Sequence, residues 1–220
     1  MSTIGLGIDT TFDDTSVAIL RGKREVLANL TLSQYKDHEE FGGVVPERAS
    51  RKHLEVINQL IALALKEAQL DFSGIDYIAV SNHPGLLGSL LVGLTVAKSL
   101  AYSIQCPLIG VNHVESHPYA NVLCHGAIPF PVLHLVVAGG HTLLIKANAH
   151  FDYKIIGRSL DDAAGECVDK VAKMFGHPMP GGPVVDRAAL EFSGDTYDFP
   201  RPLLHKNEHN FSFSGLKTAM

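Results

Sequence analysis

IGLGIDTTFDDTSVAIL, residues 4–20, decides the fold. Ile4, Leu6 and Ile8 alternate with small or polar residues, which predicts a strand over residues 4–9 with one apolar face. Thr10 to Thr15 make a polar turn, and residues 16–20 return as a second apolar strand. The segment is therefore a β-hairpin with a Thr- and Asp-rich tip. Asp9, Asp13 and Asp14 at that tip suit a cation or a basic partner, or serve only to cap the turn.

Outward from the hairpin, residues 27–32 predict a third strand and Gly42-Gly43 a loop. Pro46 suits a helix start. Ala49, His53, Ile57, Leu60, Ile61 and Ala64 then recur at three- and four-residue steps, which predicts an amphipathic helix over 46–69. A buried strand over 75–80 ends in a turn, Asn82-His83-Pro84-Gly85. A helix rich in small residues over 86–104 and a strand over 107–111 follow. This alternation implies parallel pairing through right-handed crossovers.

After a Pro- and Gly-bearing connection the pattern restarts. A strand over 132–137, a tight tip Ala138-Gly139-Gly140-His141-Thr142 and a returning strand over 143–147 make a second hairpin. Residues 161–175 predict a helix with Asp at its start, where the helix dipole favours negative charge. PMPGGP, residues 178–183, is a loop, and 184–192 are helical again. The expected organisation is two α/β lobes, 1–126 and 127–220, with the hairpin tips facing one cleft. Two unrelated hairpins are the alternative. The chain stops after 210–220 without a cap or a tail, as if cut.

The composition is that of a globular chain: 220 residues, 46% hydrophobic and 19% charged. Its net charge of -5 supplies no general basic field for a nucleic acid. Arg48, Arg51 and Lys52 are the local cations that could serve one. The apolar runs are interrupted by Gly, Ser and Thr and fall short of the ~20 residues of a membrane span, so no membrane partner is expected. No signal peptide is read at the N-terminus, and three unpaired cysteines fit reduced thiols in the cytoplasm.

Several residues invite chemistry. Gly139 and Gly140 would let backbone N–H groups approach a phosphate, or would simply make a tight turn. His113 and His117 in HVESH share a helix face and can bind one metal ion, although two ligands are few. Pro118 places the helix start around 114–117, with His113 near the cap. Glu115 is not where a zinc protease, H-E-x-x-H, needs its carboxylate. Asp161 and Asp162 fit a solvated helix face, whereas Asp169 has apolar neighbours and needs a partner such as a ligand hydroxyl. There is no Walker A loop and no G-x-S-x-G elbow.

Taken together, IGLGIDTTFDDTSVAIL, GGVVPERASRKH, PGLLGSLLVGLTVAKSLA, HVESH, VVAGGHTLL, DDAAGECVDKVAKMFG, PGGP and NFSFSGLKTA resemble, in order, the TsaD (Gcp) family of tRNA N6-adenosine threonylcarbamoyltransferases. The resemblance implies an α/β, two-lobed fold like that of actin, hexokinase and the heat-shock ATPases, with the second lobe incomplete. It also implies an acyltransferase that moves threonylcarbamoyl from threonylcarbamoyl-adenylate to N6 of adenosine 37, in tRNAs that read codons beginning with A. Carried over by motif, the metal ligands fall on His113 and His117, for one divalent ion, iron or zinc. The donor-binding positions fall on Val136, Val137, Ala138, Gly139, Gly140, Asp169, Gly182 and Asp186. Asp13 matches a cleft-facing acidic position and is the catalytic candidate.

The chain departs from the family at Ala138, where many members have Ser, and at Pro118. It also ends before the family's Asn-bearing Gly-rich loop and the Asp that completes the metal site. TsaB and TsaE are the implied partners if the chain is bacterial. A metalloprotease and a non-catalytic, TsaB-like scaffold are the alternatives.

Overall fold

The structure is a computed structural model that describes residues 2–220 except 42, 179 and 195. Met1, Gly42 of the first loop and Met179 of PMPGGP therefore lie outside the described residues. The chain forms two compact units, Met1–Gly126 and Ala127–Met220.

In the first unit, β1 (Ile4–Asp9), β2 (Asp14–Arg21), β3 (Glu25–Ser33), β4 (Tyr77–His83) and β5 (Leu108–Asn112) form one sheet. Its order is β3-β2-β1-β4-β5. β1 and β2 are the expected antiparallel hairpin, with Asp9 opposite Ser16. β1 pairs β4, and β4 pairs β5, in parallel. β4 runs through Asn82 and His83, which sequence reasoning assigns to a turn, because His83 still pairs with Asn112. The turn falls at Pro84-Gly85 instead.

A short helix α1 (Tyr35–His38) precedes the long α2 (Pro46–Glu67), which has Pro in its first turn. α2 packs on β2 and β3 and buries Ile57, Leu60, Ile61, Ala64 and Leu65 beside Leu6, Val17 and Ile19. Each fully buried Leu or Ile there contributes about 2 kcal/mol.

α3 (Leu87–Ile104) lies against α2, β4 and β1. Its 18 residues are long and apolar enough to cross a bilayer by length and composition. The expectation that its broken apolar run falls short is therefore corrected: Gly, Ser and Thr interrupt the run without making it polar. Its buried face is small, Ser89, Gly93, Ala97 and Ala101, which brings the helix close to its neighbours.

α4 (His113–His125) follows β5 directly. It starts at His113 itself, earlier than the 114–117 expected. The Asn112 side chain caps it by accepting from the N–H groups of Val114 and Glu115 at 2.9 and 3.2 Å. Pro118 sits inside the helix, where it has no N–H to give to the preceding turn.

The second unit opens on an antiparallel sheet of β6 (Val132–Val137), β7 (Thr142–Ala149) and β8 (Asp152–Arg158). α5 (Ala164–Met174), α6 (Gly182–Glu191) and α7 (Ser214–Ala219) complete it. Two expected boundaries shift. α5 starts three residues after Asp161, because Asp161 and Asp162 are engaged elsewhere. Asp161 accepts from Ser212 Oγ, Phe213 N–H and Ser214 N–H at 2.5, 2.7 and 3.3 Å. Asp162 pairs with Lys170 at 3.3 Å and Lys217 at 2.5 Å. These two carboxylates anchor the NFSFSGLKTA segment and are not a solvated helix face. α6 in turn begins at Gly182, a residue expected in the loop, with Pro183 in its first turn.

Candidate functional site

In the first unit the hairpin tip is held from two sides. The Phe12 carbonyl accepts from His53 Nε2 on α2 at 3.0 Å and from Ser89 Oγ on α3 at 3.3 Å. The Thr11 carbonyl accepts the Leu86 N–H at 2.8 Å, and Thr10 Oγ1 donates to the Ser89 carbonyl at 2.8 Å. Gly85 and Gly93 permit this approach: a Cβ on Gly85 would stand 2.5 Å from the Thr11 oxygen, and one on Gly93 would collide with Thr10 Oγ1. The GGVVPERASRKH and PGLLGSLLVG stretches thus serve to fix the tip.

His53 is fully buried and part of a polar chain. Thr15 Oγ1 and Gln34 Nε2 lie 2.8 and 3.2 Å from its Nδ1, and Gln34 Oε1 lies 3.2 Å from His38 Nε2. Burial pushes the pKa of His53 down, against the opposing pull of its bond to Phe12 and of Asp9 and Asp14.

The tip places Asp9, the last residue of β1, against His113, the first of α4. Asp9 Oδ2 is 2.8 Å from His113 Nδ1. Asp9 Oδ1 accepts from Thr11 N–H at 3.0 Å and from Thr11 Oγ1 at 2.8 Å. Burial alone would raise the Asp9 pKa. Its bonds from His113, Ser81 and Thr11 outweigh that and hold it at about 2. Asp13 lies further along the tip, half-buried, with its backbone oxygen accepting from Gln34 N–H at 3.1 Å. Burial and the neighbouring Asp14 charge push its pKa up.

His113 and His117 come together, with ring centroids 4.8 Å apart and planes at 80°. Two imidazoles that share one ion at a metal–N distance of about 2.1 Å have centroids roughly 5 Å apart. With Nδ1 of His113 turned to a carboxylate, its Nε2 is the nitrogen left for an ion. That spacing is the one two imidazoles on a divalent ion would have, and imidazole suits iron and zinc alike. Among the described residues no group of three or more His, Cys, Asp or Glu side chains is placed to hold a metal ion.

In the second unit Val136 is buried on β6, Val137 is exposed at its end, and Ala138 to His141 form the turn. Ala138 N–H donates to the His141 carbonyl at 2.9 Å. Gly139 and Gly140 do not need to be glycine for this turn. Neither has a left-handed φ, and a Cβ on either would meet nothing within 4 Å. The same space surrounds Gly182.

Gly165 and Gly181 are the opposite case. A Cβ on Gly165 would stand 2.6 Å from the Ala138 oxygen and 2.9 Å from Gly139 Cα. One on Gly181 would stand 3.0 Å from Asp169 Cα. Gly165 thus brings the N-terminus of α5 against the Gly139 loop, where Thr142 Oγ1 caps the Ala164 N–H at 2.8 Å. Asp169 Oδ1 accepts the Gly181 N–H at 2.7 Å, so the partner this carboxylate needs is backbone in the first instance. Asp169 and Gly182 are thereby neighbours, and Asp186 is exposed one turn into α6.

Sequence reasoning missed Asp9 as a partner of His113, Thr142 as a cap and Gly165 as a contact. The first and last residues of each contact lie far apart in the chain, and a terminal strand Asp followed by Thr was the one local signal. Cys167 is buried, which pushes its thiol pKa up and makes it a poor nucleophile. Arg48, Arg51 and Lys52 are paired with Glu40, Glu47 and Asp37, and these exposed pairs reduce the free positive charge there.

A mixed sheet ordered β3-β2-β1-β4-β5 and a second unit that opens on another tight hairpin define the class. This is the α/β fold of actin, hexokinase and the heat-shock ATPases. The solved structure of ethanolamine utilization protein EutJ from Carboxydothermus hydrogenoformans has a similar fold, with a TM-score of 0.50 at 10% identity over 85% of this chain and 62% of that one.

Within the class, residues 25–220 match the family model TsaD, tRNA N6-adenosine threonylcarbamoyltransferase, and the chain belongs to that family. Relatives bearing that name are 50% identical in Geotalea daltonii and 54% identical in Thermodesulfovibrio yellowstonii, each over 98% of this chain. The chain spans 63% and 64% of the length of those two relatives.

Proposed function

We propose that the protein takes part in transfer of a threonylcarbamoyl group from threonylcarbamoyl-adenylate to N6 of adenosine 37 in tRNA, in the cytoplasm. The observation that carries this reading is the pair of open glycines. Among the described residues nothing stands within 4 Å of where a side chain on Gly139 or Gly140 would begin, so their backbone is open to a ligand that approaches it closely. The capped N-terminus of α5 beside them adds a positive helix end suited to the adenylate phosphate. The free oxygen of Asp169 and the carboxylate of Asp186 accept ribose hydroxyls, and Gly182 leaves room for them.

In the reaction, N6 attacks the carbamoyl carbon, the bond to the phosphate oxygen breaks, AMP leaves and the amine gives up one proton. The donor already carries a good leaving group, so the protein supplies position and charge complementarity. The Gly139 loop holds the phosphate on which charge develops. Asp13, on the first unit, is the catalytic candidate, and its raised pKa suits a proton acceptor. His113 and His117 would hold a divalent iron or zinc ion, which would supply Lewis-acid charge.

With net charge -5 and its helix-start cations paired, the chain is expected to engage tRNA through partners, TsaB and TsaE in a bacterial assembly.

The test is Gly139→Val. A Cβ there has open space, so the thermal midpoint should hold within a degree or two while calorimetric affinity for AMP falls at least tenfold. A collapsed midpoint with intact affinity in the folded fraction would make the loop structural and sink the assignment.

A further inference from the structure

Asp9 ends β1 and His113 begins α4 directly after β5, and in the sheet β4 lies between β1 and β5, so the two residues meet across the end of β4. An ionised carboxylate only accepts hydrogen bonds, so the 2.8 Å contact between Asp9 Oδ2 and His113 Nδ1 requires the ring proton on Nδ1. Thr11 Oγ1, 3.3 Å from the same nitrogen, spends its own proton on Asp9 Oδ1 at 2.8 Å and so presents a lone pair to Nδ1–H as well. Two acceptors therefore converge on one ring nitrogen. A neutral imidazole that carries its proton on Nδ1 has its lone pair on Nε2, and both ring rotation and tautomer are set.

We infer that Asp9, supported by Thr11, is a positioning residue that fixes His113 with Nε2 ready for the metal ion. A carboxylate on the far nitrogen of a ligating histidine also raises the basicity of the ligating one. The inference rests on the proposal that His113 and His117 hold the ion. It gives the tip of the first hairpin a role besides that of Asp13: the tip carries the residues that orient the metal pair. Clamping of the tip by Ser89, Leu86 and His53 is then what holds those residues in place.

Cobalt(II), whose visible absorption reports its ligands, is titrated into the 220-residue chain and into Asp9→Ala, Asp9→Asn and His113→Ala variants. Asp9→Ala should weaken binding ten- to a hundred-fold, on the order found for such outer partners. Asp9→Asn retains an acceptor oxygen without the charge and should fall in between, several-fold weaker than the parent. It carries the test alone if Asp9→Ala does not fold. Ring ¹⁵N shifts, assigned by their loss in His113→Ala, should place the proton on Nδ1 of metal-free His113 in the parent and redistribute it towards Nε2 without Asp9.

Unchanged cobalt affinity in both Asp9 variants, with His113→Ala weakened, overturns the inference and leaves the metal pair standing. A parent ring proton on Nε2 overturns it too. Cobalt binding that is undiminished in His113→Ala, or immeasurable in the parent, overturns the metal pair itself and this inference with it.

Discussion

Gly93→Ala tests the clamp on the hairpin tip. Helix propensity alone favours the change by about 1 kcal/mol, because Gly93 sits in the interior of α3. The structure says otherwise: the new methyl would collide with Thr10 Oγ1, which is itself bound to the Ser89 carbonyl at 2.8 Å. Overpacking of this kind costs about 1–3 kcal/mol, and loss of the Thr10 bond about 1 kcal/mol more. The net expectation is a destabilisation of about 1–3 kcal/mol. Thr10→Ala removes the colliding oxygen and leaves the Cβ of residue 10 at an ordinary 3.4 Å from the new methyl. The double variant should therefore return close to the parent, with a coupling of about 2 kcal/mol or more between two changes that each destabilise alone. Urea unfolding midpoints at constant slope measure all three. A Gly93→Ala protein more stable than its parent, or strictly additive effects in the double variant, would refute the close approach of α3 to the tip.

Gly165→Ala should do what Gly139→Val does not. Its methyl would press on the Ala138 oxygen at 2.6 Å, and backbone on both sides cannot yield, so the thermal midpoint should fall by several degrees; an unchanged midpoint would mean α5 does not lie on that loop. His53 should leave a mark on the pH dependence of stability. Burial lowers its folded pKa below the unfolded value of about 6.5, so its contribution is fully present above that pH and is lost as the pH falls through it towards the folded value. Urea midpoints at pH 7.5 and 5.5 should therefore drop less in His53→Gln than in the parent, and parallel drops would assign the acid sensitivity elsewhere.

Elements with a clear period were legible. Alternation marked β1 and β2, and the three- and four-residue recurrence marked α2 to within two residues of its observed end. β8, DYKIIGR, was not read at all. It is an edge strand whose mostly exposed residues mix Asp, Lys and Arg with Tyr and Ile, so no alternation is imposed on it. The start of α5 was misplaced for a different reason: a local Asp reads as a helix cap, whereas Asp161 is spent on the distant Phe213 and Ser214 N–H groups. Ranges and motifs located the candidate residues. Their partners, such as Asp9 for His113 and Gly165 for Ala138, join segments far apart in the chain, and no local pattern encodes such a pairing.

The apolarity of α3 has a consequence for synthesis. While the chain leaves the ribosome, an apolar 18-residue segment of this kind stays exposed to water until it packs. Yet α2, β4 and β1, on which it packs, precede it in the chain, and β5, which it also touches, follows at once. The first three are already outside when α3 emerges, and chains fold in that order as they are made. The interval in which the segment is unprotected is therefore short, and it would lengthen in any circular permutant that placed α3 ahead of α2.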